Sequence, residues 1–382
     1  MEYWERPQGA AIFKHAVLKR YVPLFASKTG STSIGSRVEL LDGYAGQGWY
    51  EDGSPASPAY LIEAARQLAA RRSIRCWFVE ERRTSFDALC AGLHQSACDP
   101  GTTRALYGRL GDHLPEILGA SEGVPLFAFV DPFGMGLPFD QLVRDLMGRS
   151  RRTPGKRVPT EVLLNFIYAG VYRNAGMLDL ASSSTTQRKA AATKVAQLDA
   201  SLGGSWWHSI QRAHGGTPEL VHRIRDEFIR RVLAAAGPNW SCFQVAVSDD
   251  PAHKPIYELM LFTQHAQGIW YFNEAVSLAR QVFQTHCEDG LGILQRPLWE
   301  PDDEWTATIA SNLLRLLGAG RPVRVIDNVD ATYGTLLGVA RGTHVKAAAK
   351  RLAADGHSLG DTNGEAHQLI LRPSVDTAAR SA

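Results

Sequence analysis

Nothing in this chain limits its fold more than the stretch from Val38 to Pro58, VELLDGYAGQGWYEDGSPASP. An apolar run through Val38, Leu40 and Leu41 stops at Asp42, and Gly43, Gly46 and Gly48 follow at once. A small-residue segment then leads into PAYLIEAARQLAA, which has the spacing of a helix. The reading is a buried strand, a tight glycine-rich turn and a delayed helix. Glycine lets a backbone take positive φ and approach a ligand closely. An acid at a strand end can accept hydrogen bonds from an amino group or a ribose. The stretch is not the dinucleotide fingerprint G-x-G-x-x-G, because the third glycine is missing and the helix comes late. A purely structural turn remains the competing reading, and the later strands weigh against it.

Those strands repeat the pattern. Ile74, Cys76, Trp77, Phe78 and Val79 form a second strand ending at Glu80. An acid in that place in a doubly wound sheet commonly holds ribose hydroxyls, although Glu80 stands farther from Asp42 than the dinucleotide spacing of about 20 residues. Glu81, Arg82 and Arg83 open the next helix. A short strand around Ala105 to Tyr107 precedes Asp112, either an adenine contact or an exposed turn aspartate. LFAFV, Leu126 to Val130, is apolar throughout, as suits a central strand buried on both faces, and ends in Asp131-Pro132-Phe133-Gly134. A fifth strand, Val162 to Phe166, delivers Asn165, Tyr168, Tyr172 and Arg173 to the same end. Before all of these, residues 12 to 25 have a helical period and carry Lys14 and His15 side by side, either as solvated and boundary residues or as groups folded over the cleft. The basic run RSRRTPGKR (149 to 157) falls at the opposite end of such a sheet and reads as a solvated loop.

From about Asn174 to Asn239 the pattern is helical and polar, an insertion between the fifth and sixth strands. A hairpin and a helix follow, and LQRPLWEPDD (294 to 303) is the candidate linker. Beyond it the expected order is three helices and then a β-wing, a winged-helix order. Between residues 315 and 351 seven basic residues face only Asp327 and Asp330; Lys346, Lys350 and Arg351 project from the expected recognition helix, suited to phosphate contacts. Winged helices also serve protein contacts, which is the other reading. A net charge of +2 over 382 residues names no partner by itself. The five cysteines form no C-x-x-C pair, which fits reduced thiols in the cytoplasm. No signal-peptide pattern opens the chain and no run approaches the roughly 18 apolar residues of a membrane span, so no membrane association is expected.

Taken together, D-x-x-x-G-x-G at Asp42 to Gly48 and the acidic strand ends have the form of S-adenosylmethionine-dependent methyltransferases. D-P-F-G stands where amino-methyltransferases carry D/N-P-P-Y/F, with the aromatic ring moved forward by one place. The chain also resembles the three-Cys-motif partner (TcmP) proteins. Lys14-His15 with Tyr21, LLDGYAGQGWYEDGSPASP, FVEERRTSF, FAFVDPFG, EVLLNF with Arg173, IYELMLFTQHAQG and THVKAAAKRLAADG carry that resemblance over most of the chain. It implies a Rossmann-type methyltransferase fold and a radical-SAM-like partner protein with three cysteines. The Lys-His helix is also similar to that of ribosomal-RNA adenine methyltransferases. The expectation is therefore an α/β doubly wound Rossmann-like methyltransferase sheet over residues 1–295, with the 174–240 helices inserted, and a winged-helix-like domain over 303–375. Asp42, Gly43, Gly46, Gly48, Glu80 and Asp112 would bind S-adenosylmethionine. Asp131, Phe133, Arg173 and Lys14 would serve the acceptor, and Lys346, Lys350 and Arg351 would hold DNA or RNA. The alternative is a methyltransferase fold without catalysis, a nucleic-acid-binding adaptor for the radical-SAM-like partner; a scaffold binding neither ranks last.

Overall fold

The computed structural model describes residues 9–132, 136–151, 158–178, 185–248, 255–291 and 303–374. The chain divides into two compact units, Met1–Ala11 with Val22–Gln264 and Ile12–Tyr21 with His265–Ala382, so that helix α1 (Gly9–Gly30) contributes to both.

The first unit is built around β1 (Arg37–Asp42), whose Val38, Leu40 and Leu41 are fully buried. It pairs in parallel with β2 (Ser73–Glu80) on one side and β4 (Leu126–Val130) on the other. With β3 (Thr103–Tyr107), β5 (Thr160–Ile167), β6 (Ser241–Val247) and β7 (Tyr257–Thr263), these make a seven-stranded sheet in the order β3-β2-β1-β4-β5-β7-β6. Only β7 runs against the others. This is the doubly wound, Rossmann-like α/β sheet expected, finished by the hairpin expected at its edge. The strand order reverses beside β1, and in open α/β sheets that reversal opens a crevice at the carboxyl ends of the strands.

Both faces are covered, which is why the central strands read as continuous apolar runs rather than alternations. On one face Leu41, Trp77, Ala128 and Val162 join α4 (Leu110–Ala120) and α8 (Glu219–Ala236) in one core cluster. On the other, the Cys76 thiol reaches Leu61 O of α2 (Ser57–Leu68) at 3.8 Å, and the Phe25 ring packs on Phe127 with centroids 5.7 Å apart and planes tilted by 50°. The helix α3 (Arg83–Gln95) makes the crossover from β2 to β3. After β5 come α5 (Tyr168–Ala175), α6 (Thr185–Leu202) and α7 (Trp207–His214), with α8 completing the helical insertion before β6.

In the second unit, α9 (Ala266–Leu291) is stitched to the segment 338–342 by its polar side chains. Asn273 donates to Ala340 O at 2.9 Å and accepts from Gly338 N at 2.5 Å, while Ser277 donates to Val339 O at 2.6 Å. Glu274 accepts from Gly342 N at 2.6 Å. Beyond α9 the order is α10 (Asp303–Leu317), β8 (Val323–Arg324), α11 (Val329–Tyr333), α12 (Gly342–Ala354), β9 (Ser358–Leu359) and β10 (Ile370–Pro373). The three strands pair antiparallel in the order β8-β10-β9. Gly356, at φ +72°, ends α12 as its sequence position suggests. The linker segment falls almost wholly outside the described residues.

Candidate functional site

Asp42 closes β1 fully buried, and its Oδ1 accepts the Tyr44 amide at 3.1 Å. The chain then crosses toward β4, where Gly43 N donates to Phe129 O at 2.9 Å. A Cβ on Gly43 would stand 2.6 Å from Leu110 Cδ2, so any side chain here would force Leu110 of α4 to move. Gly46 and Gly48 take φ values of +60° and +83°, the left-handed region, and a Cβ on Gly48 would also meet Leu89 Cδ1 at 2.9 Å. The loop ends where Ala56 N returns to Gly48 O at 3.1 Å, ahead of α2.

What holds this loop is Glu80. Its Oε2 accepts Gly46 N at 2.9 Å and its Oε1 accepts Arg82 N at 2.7 Å, with the residue only 6% exposed. A carboxylate offers about four acceptor sites, so two remain after both amides are satisfied. Glu80 thus ties the first turn to the second and keeps acceptor capacity for hydroxyl groups.

Gly43 and Glu80 open into a cleft of about 570 Å³, within the usual range for small-molecule sites. The cleft takes in Tyr44, Arg82, the segment Gly108 to Asp112, and Pro132 of the D-P-F-G turn. Asp112 lies in the first turn of α4 rather than in the turn before it, exposed, where a carboxylate also complements the helix dipole. Burial first, then the charge of Glu81, raises the Tyr44 pKa, so Tyr44 presents a neutral phenol. Gln141, in a π-helical stretch (Gln141–Leu146), donates to Gly111 O at 3.3 Å along the floor.

The cleft therefore brings together Gly43 just after β1, Glu80 at the end of β2 and Asp112 in the first turn of α4 after β3. Asp42, Gly46 and Gly48 do not line it; they shape the turn behind it. Asp131, half-buried at the end of β4, accepts a hydrogen bond at Oδ1 from Asn165 Nδ2 across the β4–β5 pairing. Phe133 lies outside the described residues. Arg173 is exposed on α5, and Tyr172 beside it is 43% exposed.

Lys14 and His15 are buried on the part of α1 that belongs to the second unit. Burial, and secondarily the charge of Lys14, lowers the His15 pKa to about 3, so its imidazole is neutral at physiological pH. In the second unit Lys350 and Arg351 are exposed on α12, with Arg351 3.9 Å from Asp355, and Lys346 Nζ donates to Asn363 O at 3.0 Å.

Sequence reasoning missed the wall of the cleft that α6 supplies through Lys194, Gln197, Ala200 and Ser201. No motif marks it, because the residues are ordinary surface types on a helix far along the chain. A second cavity of about 400 Å³ shares Gly111 and Gln141 and reaches Arg149. Arg149 is committed to structure there: it donates to Thr160 Oγ1 at 3.0 Å and to the carbonyls of Ser121 and Val124.

No described helix is long and apolar enough to cross a membrane. No family model matches the chain, and no curated protein matches it. Among solved structures it is similar to the plantazolicin methyltransferase BamL in complex with SAH, at 6% identity over 65% of this chain and 85% of that one, TM-score 0.33. It is also similar to a Clostridium thermocellum protein named as an rRNA methylase, at 7% identity over 64% and 97% of the two chains, TM-score 0.32. The Escherichia coli protein yhhF, named as a methyltransferase, matches at 13% identity over 59% and 76%, TM-score 0.28. Likenesses this faint leave the cleft to be read from its own geometry.

Proposed function

We propose that the chain is an S-adenosylmethionine-dependent methyltransferase acting on nucleic acid or a nucleotide-like acceptor, in company with a radical-SAM-type three-Cys-motif protein. The observation that carries the reading is the Glu80 clasp: one carboxylate ties the glycine turn after β1 to the residue pair after β2, beside a cleft that also takes in Gly43 and Asp112. The residues fit the cofactor. Glu80 retains two acceptor sites for ribose hydroxyls, Gly43 borders the cleft with no side chain of its own, and the cleft has the volume for a nucleoside with its amino-acid arm.

Bound S-adenosylmethionine supplies a methyl group already activated on a sulfonium. The work left to the protein is positioning and exclusion of water. Asp131, oriented by Asn165, would accept a hydrogen bond from the acceptor, and Arg173 and Phe133 are proposed to serve the same acceptor. Lys346, Lys350 and Arg351 would hold phosphates outside the reacting centre. The order helix, strand, helix, helix, strand, strand, with its sheet ordered β8-β10-β9, supports reading the C-terminal part as a winged helix.

A second reading, an adaptor without turnover that binds nucleic acid for the radical-SAM-like partner, is favoured by one departure. D-P-F-G lacks the second proline of D-P-P-Y, carries its aromatic ring one place forward and ends in glycine. The separating experiment is incubation with methyl-labelled S-adenosylmethionine and total cellular RNA and DNA. Label in a nucleic-acid fraction, absent in Asp131→Ala, is the expected result. Cofactor binding without transfer of label to any fraction gives the adaptor reading its case.

A further inference from the structure

The insertion between β5 and β6 does more than cap the sheet. In α6, Lys194, Gln197 and Ser201 recur at the spacing that puts residues on one helix face, and all three line the cleft together with Ala200. The adjoining stripe carries Ala191, Leu198 and Leu202, all buried, with Leu198 and Leu202 in the main core cluster. Three attachments fix the carboxyl half of the helix. Ser201 Oγ donates to Gly136 O at 3.3 Å, just beyond the D-P-F-G turn. Gly203, at φ +78°, lets the chain pass so close to Phe139 that a Cβ would stand 2.6 Å from the ring. Asp199 Oδ1 meets Trp207 Nε1 at 2.8 Å and His208 Nε2 at 2.9 Å. The cleft wall is therefore a secured surface with polar groups facing inward.

We infer that α6 is part of the cofactor site, with Gln197 and Lys194 reading the nucleoside of S-adenosylmethionine; this rests on the cofactor reading above. The same cleft is lined by Glu80 to Arg82 at the end of β2 and by Gly108 to Asp112, which follow β3. A Rossmann-like sheet takes the ribose at the end of its second strand, so α6 borders the nucleoside half of the cleft. Lys194 Nζ donates to Gln197 Oε1 at 3.3 Å, which turns the amide so that Nε2 is the group left to donate to a ring nitrogen. Access to that half then depends on a helix inserted late in the chain rather than on the first turn alone.

The test is calorimetric titration of S-adenosylmethionine into the full-length protein and three variants, with adenosine as a competing ligand. Loss of one hydrogen bond in Gln197→Ala should weaken both ligands by up to about tenfold. Ala200→Trp should abolish binding while leaving the melting temperature unchanged, because Ala200 is exposed and the indole would enter the cleft. Lys189→Ala, exposed on the same helix but away from the cleft, should bind as wild type. Wild-type affinity in both Gln197→Ala and Ala200→Trp overturns the assignment of α6 while leaving the cofactor reading intact. Weakened S-adenosylmethionine with unchanged adenosine overturns the nucleoside placement. No binding by the wild type overturns this inference and the cofactor reading together.

Discussion

Glu80 accepts two backbone amides with two oxygens, so even a near-isosteric amide is a poor substitute. In Glu80→Gln one position becomes an NH₂ aimed at an N–H, which leaves a buried donor unsatisfied at a cost of about 1–3 kcal/mol. Urea denaturation should show a loss of that size; a loss below about 0.5 kcal/mol would mean the clasp is not formed in solution. His15 sets a pH dependence of definite sign. Its folded pKa, about 3, lies below the unfolded value of 6.5, so the unfolded chain binds more protons as pH falls through that window. Stability should therefore be full above pH 6.5 and decline below it by up to about 1.4 kcal/mol per pH unit. His15→Gln should flatten the fall in melting temperature between about pH 6 and pH 4, and an unchanged slope would assign the acid sensitivity elsewhere.

Elements differ in how far they could be read before their partners were known. The central strands β1, β2, β4 and β5 were legible because burial on both faces makes them largely apolar, and Asp42, Glu80 and Asp131 mark where three of them stop. The Glu80 clasp was not legible, because its hydrogen bond to Gly46 joins residues 34 apart. The cleft face of α6 was hidden for a related reason: Lys194 and Gln197 are ordinary surface residues until Leu198 and Leu202 commit the adjoining stripe to the core. The attachment of α6 turns on Trp207, fully buried against the core. Trp207→Ala should cost about 3–5 kcal/mol, and the backbone amides of α6 should exchange faster than those of β1 in hydrogen-exchange measurements. Equal protection loss across both elements would mean that the insertion is not a separable layer.

For the molecule as a whole, the division falls between β7 and α9, earlier than the composition shift near Leu294 that marks the expected linker. The side chains of Asn273, Glu274 and Ser277 explain where α9 belongs, since each bonds to the segment 338–342. Composition could not reveal this, because the bonds end on backbone atoms that carry no sequence signature. The proposed nucleic-acid role of α12 has its own test. Lys350→Glu with Arg351→Glu should weaken binding of a labelled duplex and lower the slope of log affinity against log salt by about 1 for each phosphate no longer neutralised. An unchanged slope would remove α12 from the interface.

The most direct test of the central claim is a calorimetric titration of S-adenosylmethionine into the wild-type protein and Glu80→Ala. Saturable micromolar binding by the wild type and its loss in the variant are expected, since Glu80 both shapes the first turn and retains acceptors for the ribose. No binding by the wild type, or binding that Glu80→Ala leaves unchanged, would contradict the claim.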